Sequence, residues 1–406
     1  FWRIPVRRLR WGSWSAYFSR MKTILQDVMA RGYPNLAEKT ALPPHAHRAA
    51  KAMVLCRTAA LGGHIQGCPE GHVQRVWYNS CRHRSCPQCN RIQLERWLEG
   101  QKSRLIDHPH RHMIFTLPHE LHPYWRRNTD RMTRWLFQSV RETLMCFLRD
   151  PAYLGAQPGI LSVLHTWGRS LTLHPHIHCA ITEGGLDEHG QWRLPVKNCF
   201  LPIRAVMFKY RGHFLAQLKS AVDGGELSLP DGETPTTSHN LFNRLGRKPW
   251  NVNLRERYDN AQGVVEYLAR YVRGGPMRPS QLSRFRTDQN DVLFRYHAHR
   301  DNPDGGRKRC RKERLSTGDF AGRLLQHVPR KGLNIVRSYG LYAVACRGKL
   351  DQARAGVGQA PVRPPKPVQW QGYLGRFPDS QKQTHCSVCE RQLTLMAPIA
   401  PSRAPP

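Results

Sequence analysis

Apolar positions recur with two different periods along this chain, and two short stretches show them plainly. Residues 263–274 read GVVEYLARYVRG, with Val264, Leu268 and Val272 four apart. That spacing predicts an amphipathic helix, closed by Gly274-Gly275-Pro276. Residues 171–181 read LTLHPHIHCAI. Alternate residues of a strand share a face, so this segment predicts a strand with His174, His176 and His178 on one side. Pro175, Ile177, Cys179 and Ile181 would face the other way, into a core. Leu161–Trp167 predicts the neighbouring antiparallel strand, joined through Gly168-Arg169-Ser170. Helical spacing recurs over Tyr17–Met29 and Arg91–Ile106, and Val73–Tyr78 predicts one strand of a small hairpin. Residues 221–240, rich in Gly, Pro, Ser and Thr, read as an exposed loop.

These elements imply an α+β chain of 406 residues in four stretches. Residues 1–50 form a basic helical segment, and residues 51–105 a small Cys/His-rich module. Residues 106–345 form a mixed domain, and 346–406 a loosely ordered tail rich in Pro and Arg. No stretch approaches the roughly eighteen apolar residues of a membrane helix, so no membrane partner is expected.

Charge narrows the class. Lys and Arg number 63 against 29 Asp and Glu, a net charge of +34. Enzymes of small metabolites need no such excess, whereas a polyanion does, because basic side chains on phosphates release condensed counterions. Aromatic residues lie among the basic ones, which favours nucleic acid over a merely charged surface. The run RKRCRKER offers Arg307, Lys308, Arg309, Arg311 and Lys312 as a mobile phosphate-binding loop after the turn-rich residues 301–306.

The run CPEGHVQRVWYNSCRHRSCPQC offers Cys68, His72, Cys81, Cys86 and Cys89. Four of these five would make a closed tetrahedral Zn²⁺ site of structural type, with Cys86-Pro-Gln-Cys89 as its knuckle. Cys81 is the least determined of them. A second knuckle, Cys386-Ser-Val-Cys389, has no evident partner pair nearby. Clustered cysteines with metal spacings point to a reducing compartment, hence a cytoplasmic, nucleoid-associated protein.

The helix adds Tyr267 and Tyr271, four residues apart and so on nearly one side, flanked by Arg270 and Arg273. Either an H-x-H strand or a tyrosine pair alone would be ordinary packing. Together with the charge they suggest phosphoryl chemistry on DNA. A divalent ion on His176 and His178 would polarise a phosphate that a tyrosine attacks. A third ligand is open among His174, His165 and Glu266.

At this point the motifs HPHIH and YLARY, behind YNSCRHRSCPQC, resemble the transposases of the insertion sequence 91 family, which are HUH (His-hydrophobic-His) endonucleases. The stretches CRTAALGGH, HMIFTLPHEL, LHTWGRSLTLHPHIH and GRLLQHVPRKGLNIVRSYGLY extend the resemblance over roughly residues 50–345. It implies a Rep-like core, a central antiparallel sheet flanked by helices with Phe115-Thr116-Leu117 in its first strand. It also implies Tyr267 and Tyr271 as nucleophiles, His176 and His178 as ligands of Mg²⁺ or Mn²⁺, and the Cys cluster as a zinc-binding domain. The implied substrates are single-stranded DNA at transposon ends and target DNA, cut through a 5′-phosphotyrosine in rolling-circle transposition. The sequence has no GxxxxGK[ST] loop, so unwinding would fall to host replication or helicase proteins. A plasmid replication initiator or relaxase with the same chemistry, and a non-catalytic zinc-ribbon DNA-binding protein, are the alternatives.

Overall fold

The computed structural model describes residues 23–196, 200–272, 275–286, 290–297, 310–369, 373 and 384–402. Arg273, Arg307, Lys308 and Arg309 lie outside the described residues, as do the side chains of Arg270 and Tyr271. The described chain alternates between two compact units. The cysteine unit takes the residues up to Cys89, those of Met277–Leu325 and those from Leu374 on; the histidine unit takes Asn90–Pro276 and Gln326–Tyr373.

The cysteine unit opens with helices α1 (Ile24–Lys39) and α2 (Pro44–Leu55), then a hairpin of β1 (Gly63–Gly67) and β2 (Gln74–Tyr78). Thr23 caps α1: its hydroxyl accepts from the Gln26 amide, and the Gln26 side chain returns to the Thr23 N–H at 2.8 Å.

The chain then enters the histidine unit through α3 (Arg91–Lys102), β3 (His110–Thr116), α4 (His122–Arg127) and α5 (Thr129–Arg149). There follow β4 (Gln157–Trp167), β5 (Leu173–Leu186), β6 (Trp192–Arg193), α6 (Ile203–Asp223), α7 (Pro235–Arg247), β7 (Val252–Tyr258) and α8 (Ala261–Val272). Back in the cysteine unit come β8 (Leu282–Arg286), β9 (Asp291–His297), β10 (Cys310–Ser316) and α9 (Thr317–Leu325). The histidine unit then receives β11 (Val336–Gly340) and α10 (Arg347–Gly356), and β12 (Thr394–Ile399) closes the cysteine unit.

The histidine unit is built on an antiparallel sheet of order β11-β4-β5-β3-β7, with β6 beside β5. Strand alternation sends Met113, Phe115, Ile160, Leu164, Ile177, Cys179 and Ile181 to one face, where they pack with α5, α6 and α7. The opposite face gives Leu161, Val163 and Ala180 to a second core, shared with Leu98 of α3, Val264, Val265 and Leu268 of α8 and Ala353 of α10. An isolated helix as short as α8, at 12 residues, is marginal. Its apolar stripe, each large side chain contributing roughly 1.5–3 kcal/mol on burial, holds it on the sheet. The expected central sheet with flanking helices is therefore present.

In the cysteine unit β12-β1-β2 and β10-β9-β8 form two antiparallel three-stranded sheets. The sequence expectation for Arg311 and Lys312 is corrected: they are exposed residues of strand β10, paired with Tyr296 and Arg295 of β9, and not part of a loop. The expected loop at 221–240 shortens to 224–234, because Thr234 caps α7 and Pro235 starts it. In the stretch 346–406, residues 361–369 have neither helix nor strand, whereas the segment from His385 on folds beside β1.

Candidate active site and zinc centres

The β4–β5 register sets His165 directly opposite His176, and Val163 opposite His178. On the other side of β5, Ile114 of β3 faces His178, which places His112 two residues along on the same face. Four imidazoles therefore converge under α8. The ring centres of His165 and His178 lie 4.2 Å apart, those of His176 and His178 4.8 Å, and those of His165 and His176 5.2 Å. His165, His176 and His178 each offer a nitrogen within 4.8 Å of the others, a set able to hold one metal ion.

Their protonation suits that task. Burial pushes His176 down to about 3 and His112 to about 4, and carries His165 and His178 well below the ordinary histidine value. At neutral pH these imidazoles keep their lone pairs for a cation. Nδ1 of His176 donates to the His174 carbonyl at 2.6 Å, so a metal would be met through Nε2. Nδ1 of His178 lies 2.8 Å from Nε2 of His112, one donating to the other, which orients His178 in the same sense.

Of the candidates for a third ligand, His165 joins the pair. His174 stays outside the group although its ring is 5.1 Å from that of His176, and Glu266 pairs on the helix surface with Lys102 at 3.6 Å and Gln262 at 2.8 Å.

Tyr267 is half-buried on α8. Its ring lies 4.9 Å from that of His112 and 5.9 Å from that of His178. Tyr271 stands one helical turn further on. His112 was missed in the sequence, although His110-Arg111-His112 repeats the H-x-H alternation of β5 on the neighbouring strand.

The expected single zinc site divides into two clusters. Cys81, Cys86 and Cys89 gather with Cys56, which follows α2 and was not among the candidates. Cys81 and Cys89 sulfurs lie 3.6 Å apart, and the Cys81 N–H points to the Cys56 sulfur at 3.5 Å. A tetrahedron with Zn–S bonds of about 2.3 Å has S···S edges near 3.8 Å, so these sulfurs fit one zinc ion. The other three thiols donate to Cys56 and hold it far below the ordinary cysteine value, while Cys86 is pushed far above it by the same neighbours. Four crowded, largely buried thiols cannot all ionise unaided; a divalent cation removes that conflict.

Cys68 and His72 are the correction. They lie with Cys386 and Cys389 instead. The reason is the hairpin: β1 and β2 are five residues long, and at about 3.3 Å per residue its ends stand roughly 16 Å apart. Cys68 and His72 sit at the turn, Cys56 and Cys81 beyond the open end.

An antiparallel sheet with clustered histidines beneath a tyrosine helix, on a strongly basic chain with cysteine clusters of zinc type, defines a DNA-processing enzyme. The comparisons agree. A family model described as "Putative transposase" matches residues 159–349, and one described as "Transposase zinc-binding domain" matches residues 28–117. "Putative transposase y4qJ" of Sinorhizobium fredii is 32% identical over 374 residues, 90% of this chain and 92% of that protein. "Transposase for insertion sequence element IS801" of Pseudomonas savastanoi pv. phaseolicola is 31% identical over 298 residues, 72% of this chain and 68% of that protein. No solved structure matches the chain. The chain belongs to the insertion sequence 91 family of transposases. It is a DNA transposase with structural zinc, and DNA is its partner. Among the described residues, no helix is long and apolar enough to cross a membrane.

Proposed function

We propose that this transposase nicks and rejoins single-stranded DNA at the ends of its element through a 5′-phosphotyrosine, the chemistry of rolling-circle transposition. The observation that carries the reading is the Tyr267 ring, 4.9 Å from His112 and 5.9 Å from His178, on the face of the three-histidine group. His165, His176 and His178 would hold a divalent ion, Mg²⁺ or Mn²⁺. When bound, that ion polarises the scissile phosphate and offsets charge in the transition state. An all-imidazole set favours Mn²⁺, because hard Mg²⁺ prefers oxygen ligands.

Tyr267 attacks phosphorus; the Tyr O–P bond forms as the bond to the 3′ oxygen breaks. The phenol gives up its proton and the departing 3′ oxygen takes one up. The phosphodiester energy stays in the tyrosine ester, so rejoining needs no ATP. Tyr271, one turn along α8, accepts the next strand while the first ester persists. Arg270 and Arg273 beside the tyrosines hold the DNA backbone, as do Arg307, Lys308, Arg309, Arg311 and Lys312. The expected division into 1–50, 51–105, 106–345 and 346–406 gives way to the two interleaved units: the cysteine unit acts as the zinc-binding part and the histidine unit as the catalytic part. The enzyme works in the reducing cytoplasm, and host helicases supply single strands.

The test is a denaturing gel with 5′- and 3′-labelled single-stranded DNA from the element's ends, in Mn²⁺ or Mg²⁺. Wild type is expected to form a covalent adduct with the fragment 3′ of the nick. The Tyr267→Phe/Tyr271→Phe double variant and His176→Ala are expected to form none. Cleavage without any adduct would replace tyrosine by activated water and end the proposal.

A further inference from the structure

We infer a second zinc site, formed by Cys68, His72, Cys386 and Cys389, that fastens the C-terminal strand to the N-terminal hairpin of the cysteine unit. The family's zinc-binding model stops at residue 117, so half of these ligands lie far outside it.

The geometry is that of a coordination shell. The Cys68 sulfur is 3.4 Å from that of Cys389 and 3.8 Å from His72 Nδ1, and the Cys386 sulfur is also 3.8 Å from His72 Nδ1. A tetrahedral ion with Zn–S bonds of about 2.3 Å and Zn–N bonds of about 2.0–2.1 Å has S···S edges near 3.8 Å and S···N edges near 3.6 Å, so each of these distances lies within about 0.4 Å of such a shell. Three thiolates and one imidazole are a donor set for zinc rather than for a hard cation.

Two tight turns supply the ligands in the same way. After Cys68 the chain turns back through Gly71, whose amide donates to the Cys68 carbonyl at 2.9 Å and whose φ is 78°. After Cys386 it turns back through Glu390, whose amide donates to the Cys386 carbonyl at 3.1 Å and whose φ is 59°. In the second turn the Val388 N–H also points to the Cys386 sulfur at 3.3 Å, a hydrogen bond that favours the thiolate.

What surrounds the ligands brings the two turns together. Cys68, Cys386 and Leu393 are buried against one another with Val73 beside them, and Arg391 pairs with Glu70 across the turns. β12 runs antiparallel to β1 from Gly63↔Ile399 to Gly67↔Thr394, so the sheet delivers Cys386 and Cys389 to the turn that holds Cys68 and His72. Cys68 and Cys389 are 321 residues apart, and the whole histidine unit lies between them in the chain. The metal thus joins the two ends of a long excursion, and β12 depends on it.

The test counts zinc in the reduced, full-length protein by atomic emission, wild type beside Cys386→Ser/Cys389→Ser. The double variant is expected to hold one zinc fewer per chain. It is also expected to release a C-terminal fragment under brief proteolysis that leaves wild type intact. An unchanged zinc count would overturn the site, and so would a Cys68–Cys389 disulfide in the mass of the non-reduced protein with that count unchanged. If the double variant does not fold, His72→Cys decides. Loaded with Co²⁺, it should show a stronger thiolate-to-cobalt absorption than wild type, and an unaltered spectrum would equally overturn the site.

Discussion

A single side chain, His112, shows how the site is held. It sits between the three-histidine group and α8, bonded to His178 at 2.8 Å and 4.9 Å from the Tyr267 ring. Partners that orient a metal-ligating histidine are typically worth about 10–100-fold in metal affinity or activity. His112→Ala should therefore weaken Mn²⁺ binding by about that factor, with the fold retained by circular dichroism. Unchanged affinity in a Mn²⁺ titration would reduce His112 to packing. At this scale the sequence was informative where candidate ligands are close in the chain. His176 and His178 stand out on one strand, while His165 and His112 join them only through strand register. Cys56 was overlooked for the same reason: 25 residues separate it from Cys81, and the hairpin between them is what brings them together.

Among the elements, α8 and β5 were the most legible, because their periods of four and two are those of half-buried helices and strands. Leu268 on α8 is wholly buried against the sheet, whereas Glu266 is exposed and pairs with Lys102 at 3.6 Å. Leu268→Ala should lower unfolding stability by about 2–5 kcal/mol, and Glu266→Ala by at most about 1 kcal/mol, both read in urea. Equal losses would mean that α8 is not held by its apolar stripe. The start of α7 was less legible. Composition alone marks Thr234-Pro235 as loop, and only the reciprocal bonds of Thr234 and Thr237 make it a helix start. Strand β10 was likewise hidden in a run of basic residues: its pairing with β9 comes from backbone bonds that charge does not report.

At the scale of the molecule, the interleaving of the two units could not be read from the sequence. Hydrophobic periodicity reports which face is buried, not which distant segment covers it, so the return of β12 to β1 leaves no local mark. What the whole histidine unit does record is a set of buried, neutral imidazoles, and these set its response to acid. His110 donates from Nδ1 to the His108 carbonyl at 2.7 Å and pairs through Nε2 with the Tyr342 hydroxyl at 2.8 Å. His327 bonds the Leu171 carbonyl at 3.0 Å and the Thr166 hydroxyl at 3.1 Å. Burial lowers both to about 4 from the ordinary 6.5. As pH falls through about 6.5 the unfolded chain takes up protons at these positions while the folded chain does not, so stability falls with pH until about 4, where the folded form protonates too. Above about 6.5 neither state is charged there, and their contribution is constant. Each group accounts for roughly 3 kcal/mol across that window. Urea midpoints should therefore fall steadily between pH 6.5 and 4, and His327→Gln should flatten the slope by about one proton. A wild-type profile that stays level over this range would show that these imidazoles are not buried in the neutral form.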